Sequence, residues 1–395
     1  MALHQRGEIA RISAAVLLAS ALSVAVAPGG QPVASSTVPL PCPLAAGWQT
    51  LLTLQLPRID GSGRISGGFS AVAYDANLDL LELLSDAPRG SISRWSGLRA
   101  LVTAADAGRA GARPTLQAQA VLPLRSGEAR LAEEMDGEGL VQLGSEFWVA
   151  REGRRTAARQ PQLLRFETAT GRLRQALELP TAWQPGPGRG LEANKGPEAL
   201  ALWDQPARSQ ALLMASETAL RQDPPGEVRL LEWRLDPAGA TARPLRSLAL
   251  PGPAVWALTD LLMVAPRGEA VGLLALLRRF EEPDRWGARL LLYPPPMPVA
   301  TATARAGATP GRTETSPDQP LPPRHSWDLL ANGPGRTGLP PDNWEGLTWG
   351  PTLADGRATL VLVTDDNFNP LQANWLAVLA PRRLAACSAK RSTRP

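Results

Sequence analysis

Histidine is nearly absent from this chain, with two in 395 residues. His4 falls in an N-terminal segment that reads as a targeting sequence, which leaves His325 as the histidine of the mature protein. A Ser-His-Asp hydrolase needs one well-placed imidazole and a histidine-rich zinc site several, so a single histidine beside the Pro-rich segment argues against both classes. Lysine is as scarce, limited to Lys195 and Lys390, and arginine supplies the remaining positive charge. The formal net charge is +4, and the arginines are scattered instead of forming a stripe, so there is no nucleic-acid footprint. Scarce lysine beside abundant Ala, Gly and Pro is also what a GC-rich genome produces. The chain has no Walker loop and no GxGxxG opening a helix. Arg324-His325-Ser326 does not match the arginine-histidine-glycine run of histidine phosphatases.

Long apolar runs are missing beyond the first 27 residues. There, Arg6 and Arg11 precede an apolar stretch from Ile12 to Val26, and Ala25-Val26-Ala27 fits a small-x-small cleavage site. This pattern predicts a signal peptide over 1–27 and a linker over 28–47. Pro28 disfavours a cut immediately before it and points to cleavage nearer Ala34 to Ser36. The run is too short for a comfortable membrane span. The expectation is therefore a periplasmic or secreted monomer with no membrane span once the signal is removed. Lipid attachment at Cys42 is disfavoured by Pro41. Cysteine is limited to Cys42 and Cys387, and in an oxidising compartment an even pair is expected to be bridged.

What is present is a repeat, and a repeat decides the fold. Five segments share a short apolar strand, a turn and a second, strongly apolar strand ending in a charged residue. The first strands start in GGFSAVAYD (67–75), DGEGLVQL (136–143), GPEALALW (196–203), TDLLMVA (259–265) and NWEGLTWG (343–350). Their partners are LLELLSDA (80–87), EFWVARE (146–152), ALLMASE (211–217), VGLLALLRRF (271–280) and ATLVLVTDDNF (358–368). Further strands follow, such as 162–167 and 172–180, or 228–235 and 242–251. Four strands per unit is the blade of a β-propeller. The fold class is therefore all-β, a five-bladed propeller with six blades as the alternative.

The last unit offers three strands, ending at 374–381, and WQTLLTLQLP at 48–57 supplies the fourth. Pairing the two ends closes the ring, removes both sheet edges and brings Cys42 toward Cys387. The propeller domain is expected over 48–389, with a tail at 390–395. The Pro-rich stretch 294–323 cannot bury enough apolar surface to fold alone, so it reads as a surface excursion within the fourth blade.

In such a ring the starts of the first strands and the ends of the second lie at one channel mouth. The inner positions are Ser70, Glu138, Glu198, Asp260 and Glu345. The outer ones are Asp86, Glu152, Glu217, Arg278 or Arg279, and Asp365 or Asp366. So many carboxylates must be neutralised by protonation, arginine or cations, and oxygen-only ligands suit Ca²⁺ or Mg²⁺. Alternatively, acids at strand ends accept backbone N–H bonds and hold blades together without any ligand. Arg89, Arg154, Arg155 and Arg279 are candidates for holding an anionic substrate, or plain surface charge.

The GGFS start, D-x-EGL followed by FWV-x-x-E, GPEALA, and NWEGL followed by LVTDDNFN and Gln372 resemble the esterase-like phytase family over roughly residues 60–381. The resemblance implies an exported propeller with an acidic, calcium-linked site that hydrolyses phosphate or carboxylic esters. On that reading Glu138, Glu198, Glu345 and Asp366 are catalytic. Glu138, Glu198, Glu345, Asp365 and Asp366 hold the metal, while Arg89, Arg154 and Arg279 bind a small anionic or ester substrate. Arg278-Arg279 departs from the family's Glu-Arg pair, which weakens cation binding at that blade. A noncatalytic periplasmic propeller that binds a ligand or protein partner is the alternative.

Overall fold

The computed structural model describes residues 40–58, 66–108, 114–127, 129–130, 135–153, 160–203, 210–236, 239–252, 256–264, 272–283, 285–299, 319–333 and 336–384. The proposed signal peptide, Arg154, Arg155, Cys387 and the tail at 390–395 lie outside them. Among the described residues there are five four-stranded antiparallel sheets, arranged as a five-bladed propeller.

The chain opens with β1 (Trp48–Gln55) and then builds the blades in order. Blade one is β2 (Phe69–Asp75), β3 (Leu80–Ser85), β4 (Ser91–Ser96) and β5 (Gln117–Pro123), followed by the short hairpin β6 (Arg125–Ser126) and β7 (Ala129–Arg130). Blade two is β8 (Gly137–Leu143), β9 (Glu146–Arg151), β10 (Gln162–Glu167) and β11 (Leu173–Glu178). Blade three is β12 (Pro197–Trp203), β13 (Ala211–Ser216), β14 (Glu227–Asp236) and β15 (Gly239–Ala249). Blade four is β16 (Ala257–Val264), β17 (Gly272–Glu281), β18 (Arg285–Tyr293) and β19 (His325–Asp328). Blade five joins β20 (Trp344–Thr352), β21 (Ala358–Thr364) and β22 (Trp375–Pro381) to β1, with Trp48 opposite Pro381 and Gln55 opposite Trp375.

That pairing is the expected closure. Cys42 stands at its end, where its N–H donates to the Arg382 carbonyl at 3.0 Å and its carbonyl accepts from Leu384 at 3.2 Å. The Pro-rich stretch falls between β18 and β19. Its described ends lie along β15: Arg246 donates to the Met297 carbonyl at 2.9 Å and Leu321 donates to the Ser247 carbonyl at 2.7 Å.

The second strands explain why the blades stack. Every residue of β13, ALLMAS, is buried, as sheets covered on both faces require. Blades two and three share a core that includes Trp148, Trp183, Leu212 and Trp233. A fully buried Leu contributes roughly 1.5–3 kcal/mol, so each interblade layer is strongly stabilising. A helix that strand grammar did not foresee, α1 (Leu98–Asp106), connects β4 to β5. Leu98, Leu101 and Val102 fall on one face of it and join a core with Leu353 and Val361 of blade five, so α1 covers the seam where the ring closes. Among the described residues no helix is long and apolar enough to cross a membrane.

The inner strands β2, β8, β12, β16 and β20 line the channel. The later residues of these strands surround a cavity of about 660 Å³, bordered by Val72, Leu140, Leu200, Leu261, Leu347 and Trp349. The starts of the same strands form the opposite mouth, and there the carboxylates gather.

Candidate functional site at the acidic mouth

Every inner strand carries an irregularity at the same point, one extra residue that its partner strand does not match. These residues are Ser70, Glu138, Glu198, Thr259 and Glu345. A bulge takes a side chain out of the ladder and re-aims it, so the repeated bulge builds a ring of side chains at the mouth. The fourth position corrects the sequence expectation, because the bulged residue there is Thr259 and not Asp260. The residue after each bulge is small in four blades, and the neighbouring inner strands approach closely there. A Cβ on Gly139 would meet Leu200 Cβ at 2.8 Å, and one on Gly346 would meet Ala71 Cα at 3.1 Å. In blade four this following position is Asp260. Its carboxylate, 3% exposed, accepts the Leu261 N–H at 2.8 Å and the Leu347 N–H at 2.6 Å, with the Leu200 backbone also bonded to it. Asp260 therefore ties blades three, four and five together. Burial holds its carboxyl well above the usual range, against the pull of those N–H groups.

The second strands set the outer ring one pair beyond the bulge. Asp86 pairs with Gly68, Glu152 with Asp136, Glu217 with Gly196 and Asp365 with Asn343. In blade four Ala257 pairs with Arg278. The outer ring is thus Asp86, Glu152, Glu217, Arg278 and Asp365. Arg279 faces elsewhere: its guanidinium lies 5.1 Å from the Trp256 ring centroid and 3.3 Å from Glu281.

Asp366 is committed to structure. Its Oδ1 accepts from Gly68 N at 2.8 Å and Phe368 N at 3.3 Å, and its Oδ2 meets Arg58 at 3.1 Å. Arg58 also donates to the carbonyls of Asn369 and Gln372, which locks the turn that carries the DDNFN run. Asn367 and Phe368 both have left-handed backbones, with φ of 47° and 50°. Such strain persists only where the surroundings over-determine it, and here the Asp365 and Asp366 carboxylates accept the N–H groups of Asn367 and Phe368.

The remaining acids crowd one another. Burial, then the neighbouring carboxylates, raise Asp86 to about 8. Burial raises Glu152 to about 7 even though its Oε1 accepts the Gly196 N–H at 3.0 Å. Burial also raises Asp365 to about 6. Glu138, Glu198 and Glu345 are pushed well above the ordinary carboxylate range, first by burial and then by neighbouring carboxylates, which are Glu198 and Glu345 for Glu138, Glu217 and Glu152 for Glu198, and Asp365 for Glu345. Lys195 meets Glu217 Oε1 at 2.7 Å. Among the described residues no hydrogen bond or ion pair reaches Glu138. Asn343 donates to Glu345 Oε1 at 2.8 Å and to Asp365 Oδ2 at 3.3 Å, but its own Oδ1 receives no donor, and neither does Asp86 Oδ1.

Two groups of three oxygens lie within 4.8 Å of one another: Asp136, Glu138 and Glu152, and Glu152, Glu198 and Glu217. Of the residues expected to hold a metal, Glu138 and Glu198 fall in these groups. Glu345 and Asp365 lie alongside them, joined through Asn343. Asp136, Glu152 and Glu217 complete the groups. Asp136 was not foreseen, although its left-handed φ of 47° is the conformation that Asp tolerates better than most residues. Of the arginines expected to bind substrate, Arg89 is exposed in the loop after β3.

A family model described as phytase-like, esterase-like activity of phytase, matches residues 64–368. No curated protein matches the chain. Among solved structures, the endo-arabinase of Bacteroides thetaiotaomicron VPI-5482 is similar with a TM-score of 0.41 and 10% identity, over 82% of this chain and 97% of that one. The Cellvibrio cellulosa alpha-L-arabinanase gives 0.39 and 12%, over 80% and 91%. The Neurospora crassa Pan2 WD40 domain gives 0.35 and 10%, over 85% and 96%. At these values the likenesses carry nothing about chemistry.

Proposed function

Because this chain belongs to the esterase-like phytase family, we propose that it is an exported hydrolase of small phosphate or carboxylic esters, working at the acidic mouth with calcium. The observation that carries this reading is Glu138. It is a carboxyl without hydrogen bond or ion pair among the described residues, its pKa raised by burial and then by Glu198 and Glu345, beside Glu152, whose pKa burial raises to about 7. Neighbouring acids whose environments separate their proton affinities are the arrangement general acid–base chemistry requires. Glu152 takes a proton from the attacking water, whose oxygen bonds to the phosphorus or acyl carbon. The ester C–O or P–O bond breaks, and Glu138 gives its proton to the departing oxygen.

The donor set fits a hard cation. Asp136 and Glu152, from the oxygen group that lies within 4.8 Å, would hold the ion with Asp86 Oδ1, an acceptor without a donor, while Glu138 beside them is left to give its proton to the departing oxygen. When bound, such an ion supplies polarisation of the ester oxygen and a water of lowered pKa. Arg89, exposed after β3 and without an ion pair among the described residues, would meet an anionic substrate at the rim.

Purified protein should hydrolyse p-nitrophenyl phosphate or p-nitrophenyl esters with added Ca²⁺. Glu138→Gln should lower kcat by about 100-fold or more with little change in melting temperature. Protein inert toward both substrate classes, with a melting temperature indifferent to chelator, rejects the proposal. The noncatalytic reading draws on Asp260 and Asp366, whose carboxylates hold blades and turns. It expects Glu345→Gln to lose stability with no activity to lose. Export carries its own test. In an oxidising compartment we expect Cys42 to bridge Cys387, and nonreducing mass mapping of exported protein that found both thiols free would remove that bridge.

A further inference from the structure

The outer ring is acidic in blades one, two, three and five and basic in blade four, where Arg278 occupies the position held elsewhere by Asp86, Glu152, Glu217 and Asp365. Blade four also lacks an acid in the inner ring, since its bulged residue is Thr259. The half-buried guanidinium reaches toward the acids of the neighbouring blades. Its Nη2 lies 3.2 Å from Glu217 Oε1 and 3.8 Å from Glu198 Oε1, and its Nε lies 3.2 Å from Glu345 Oε1. One side chain thus reaches carboxylates of both neighbouring blades, three and five. Glu217 Oε1 receives Lys195 as well.

We propose that Arg278 is the resident cation of this mouth, standing beside the Glu152, Glu198 and Glu217 oxygens where a divalent ion would otherwise sit and confining any bound ion to the Asp136, Glu138 and Glu152 side. The second half of this statement rests on the calcium reading above; the first half does not. The two oxygen groups share Glu152 but differ in their partners. Glu198 and Glu217 already face two fixed positive charges, and a divalent ion placed among them would meet the guanidinium at a few ångströms, where like charges in a poorly screened site repel strongly. The guanidinium is planar, always charged and weakly hydrated, so it suits a permanent place among carboxylates better than an ammonium would. Arg278 is a positioning residue on this account: it hydrogen-bonds Glu217, sets its charge beside Glu198 and Glu345, and decides how many ions the ring accepts.

The test is a calcium titration of the full chain, followed by thermal melting and by calorimetry. Wild type is compared with Arg278→Glu and Arg278→Gln, and with Arg279→Glu as a control, since Arg279 faces Trp256. Both Arg278 variants are expected to lose stability in chelator and to regain it with Ca²⁺. Arg278→Glu should take up one additional ion, with apparent affinity for it raised about tenfold or more over wild type, because ligand charge sets calcium affinity. Arg279→Glu should respond as wild type does. Arg278 variants with an unchanged calcium response overturn the proposal, and so do variants that stay unfolded at saturating Ca²⁺, since calcium then cannot replace the guanidinium. A wild type indifferent to calcium beside responsive Arg278 variants retires the calcium-assisted mechanism and leaves the role of Arg278 standing.

Discussion

Asp260→Ala is expected to lower the unfolding free energy by about 3–5 kcal/mol. The carboxylate is 3% exposed and accepts backbone N–H groups of Leu261 and Leu347, with Leu200 as a third contributor. Removing it strands buried donors, and each buried donor left unsatisfied costs roughly 1–3 kcal/mol. Asp260→Asn retains one acceptor but turns an NH₂ toward backbone N–H groups, so an intermediate loss is expected. Urea unfolding of the three proteins measures this directly. An Asp260→Ala protein as stable as wild type would show that the inner strands do not depend on the carboxylate.

The second large effect is on pH. Asp86 and Glu152 have folded-state pKa values raised to about 8 and about 7, above those of an unfolded chain. Between about pH 4 and 8 the native state therefore binds more protons than the unfolded state, and stability falls as pH rises. Their contribution is fully present below the unfolded pKa and is lost as pH passes through 7 and 8. In chelator, the melting temperature should decline across this window, by the equivalent of a few kcal/mol. Added Ca²⁺ should matter little near pH 5 and progressively more toward pH 8, because ligating carboxylates must first lose their protons. Melting curves at several pH values, with chelator and with Ca²⁺, read both trends. Stability that increases from pH 5 to 8 in chelator contradicts the assigned shifts.

Much of the fold was legible because a propeller writes its period into the chain. Short apolar runs at regular spacing, a surplus strand at one end and a missing strand at the other left few arrangements. The helix Leu98–Asp106 was not read, since its apolar face at Leu98, Leu101 and Val102 occupies barely two turns inside a strand-rich pattern. The site was legible in composition and less so in position. Asp260 stood in the column of acids, yet a bulge is a property of pairing between two strands, and Thr259 emerges as the bulged residue only from the register against Leu276 and Leu277. Asp365 and Asp366 were indistinguishable in sequence. The register puts Asp365 in the outer ring, and Arg58, roughly three hundred residues earlier, takes Asp366. The ambiguity between Arg278 and Arg279 has the same origin, because adjacent residues on a strand point to opposite faces.

The closing pair has a consequence for how the molecule forms. β1 is the first strand of the ring in the chain, and its partner β22 is the last. The first-made strand therefore cannot be satisfied until nearly all the sequence has been delivered, and its unpaired edge must wait through the assembly of four blades. Contacts of such separation make folding slow, and an open edge held that long invites pairing with another chain. The final ladder, Trp48 against Pro381 through Gln55 against Trp375, is the step that turns a string of blades into a cooperative ring.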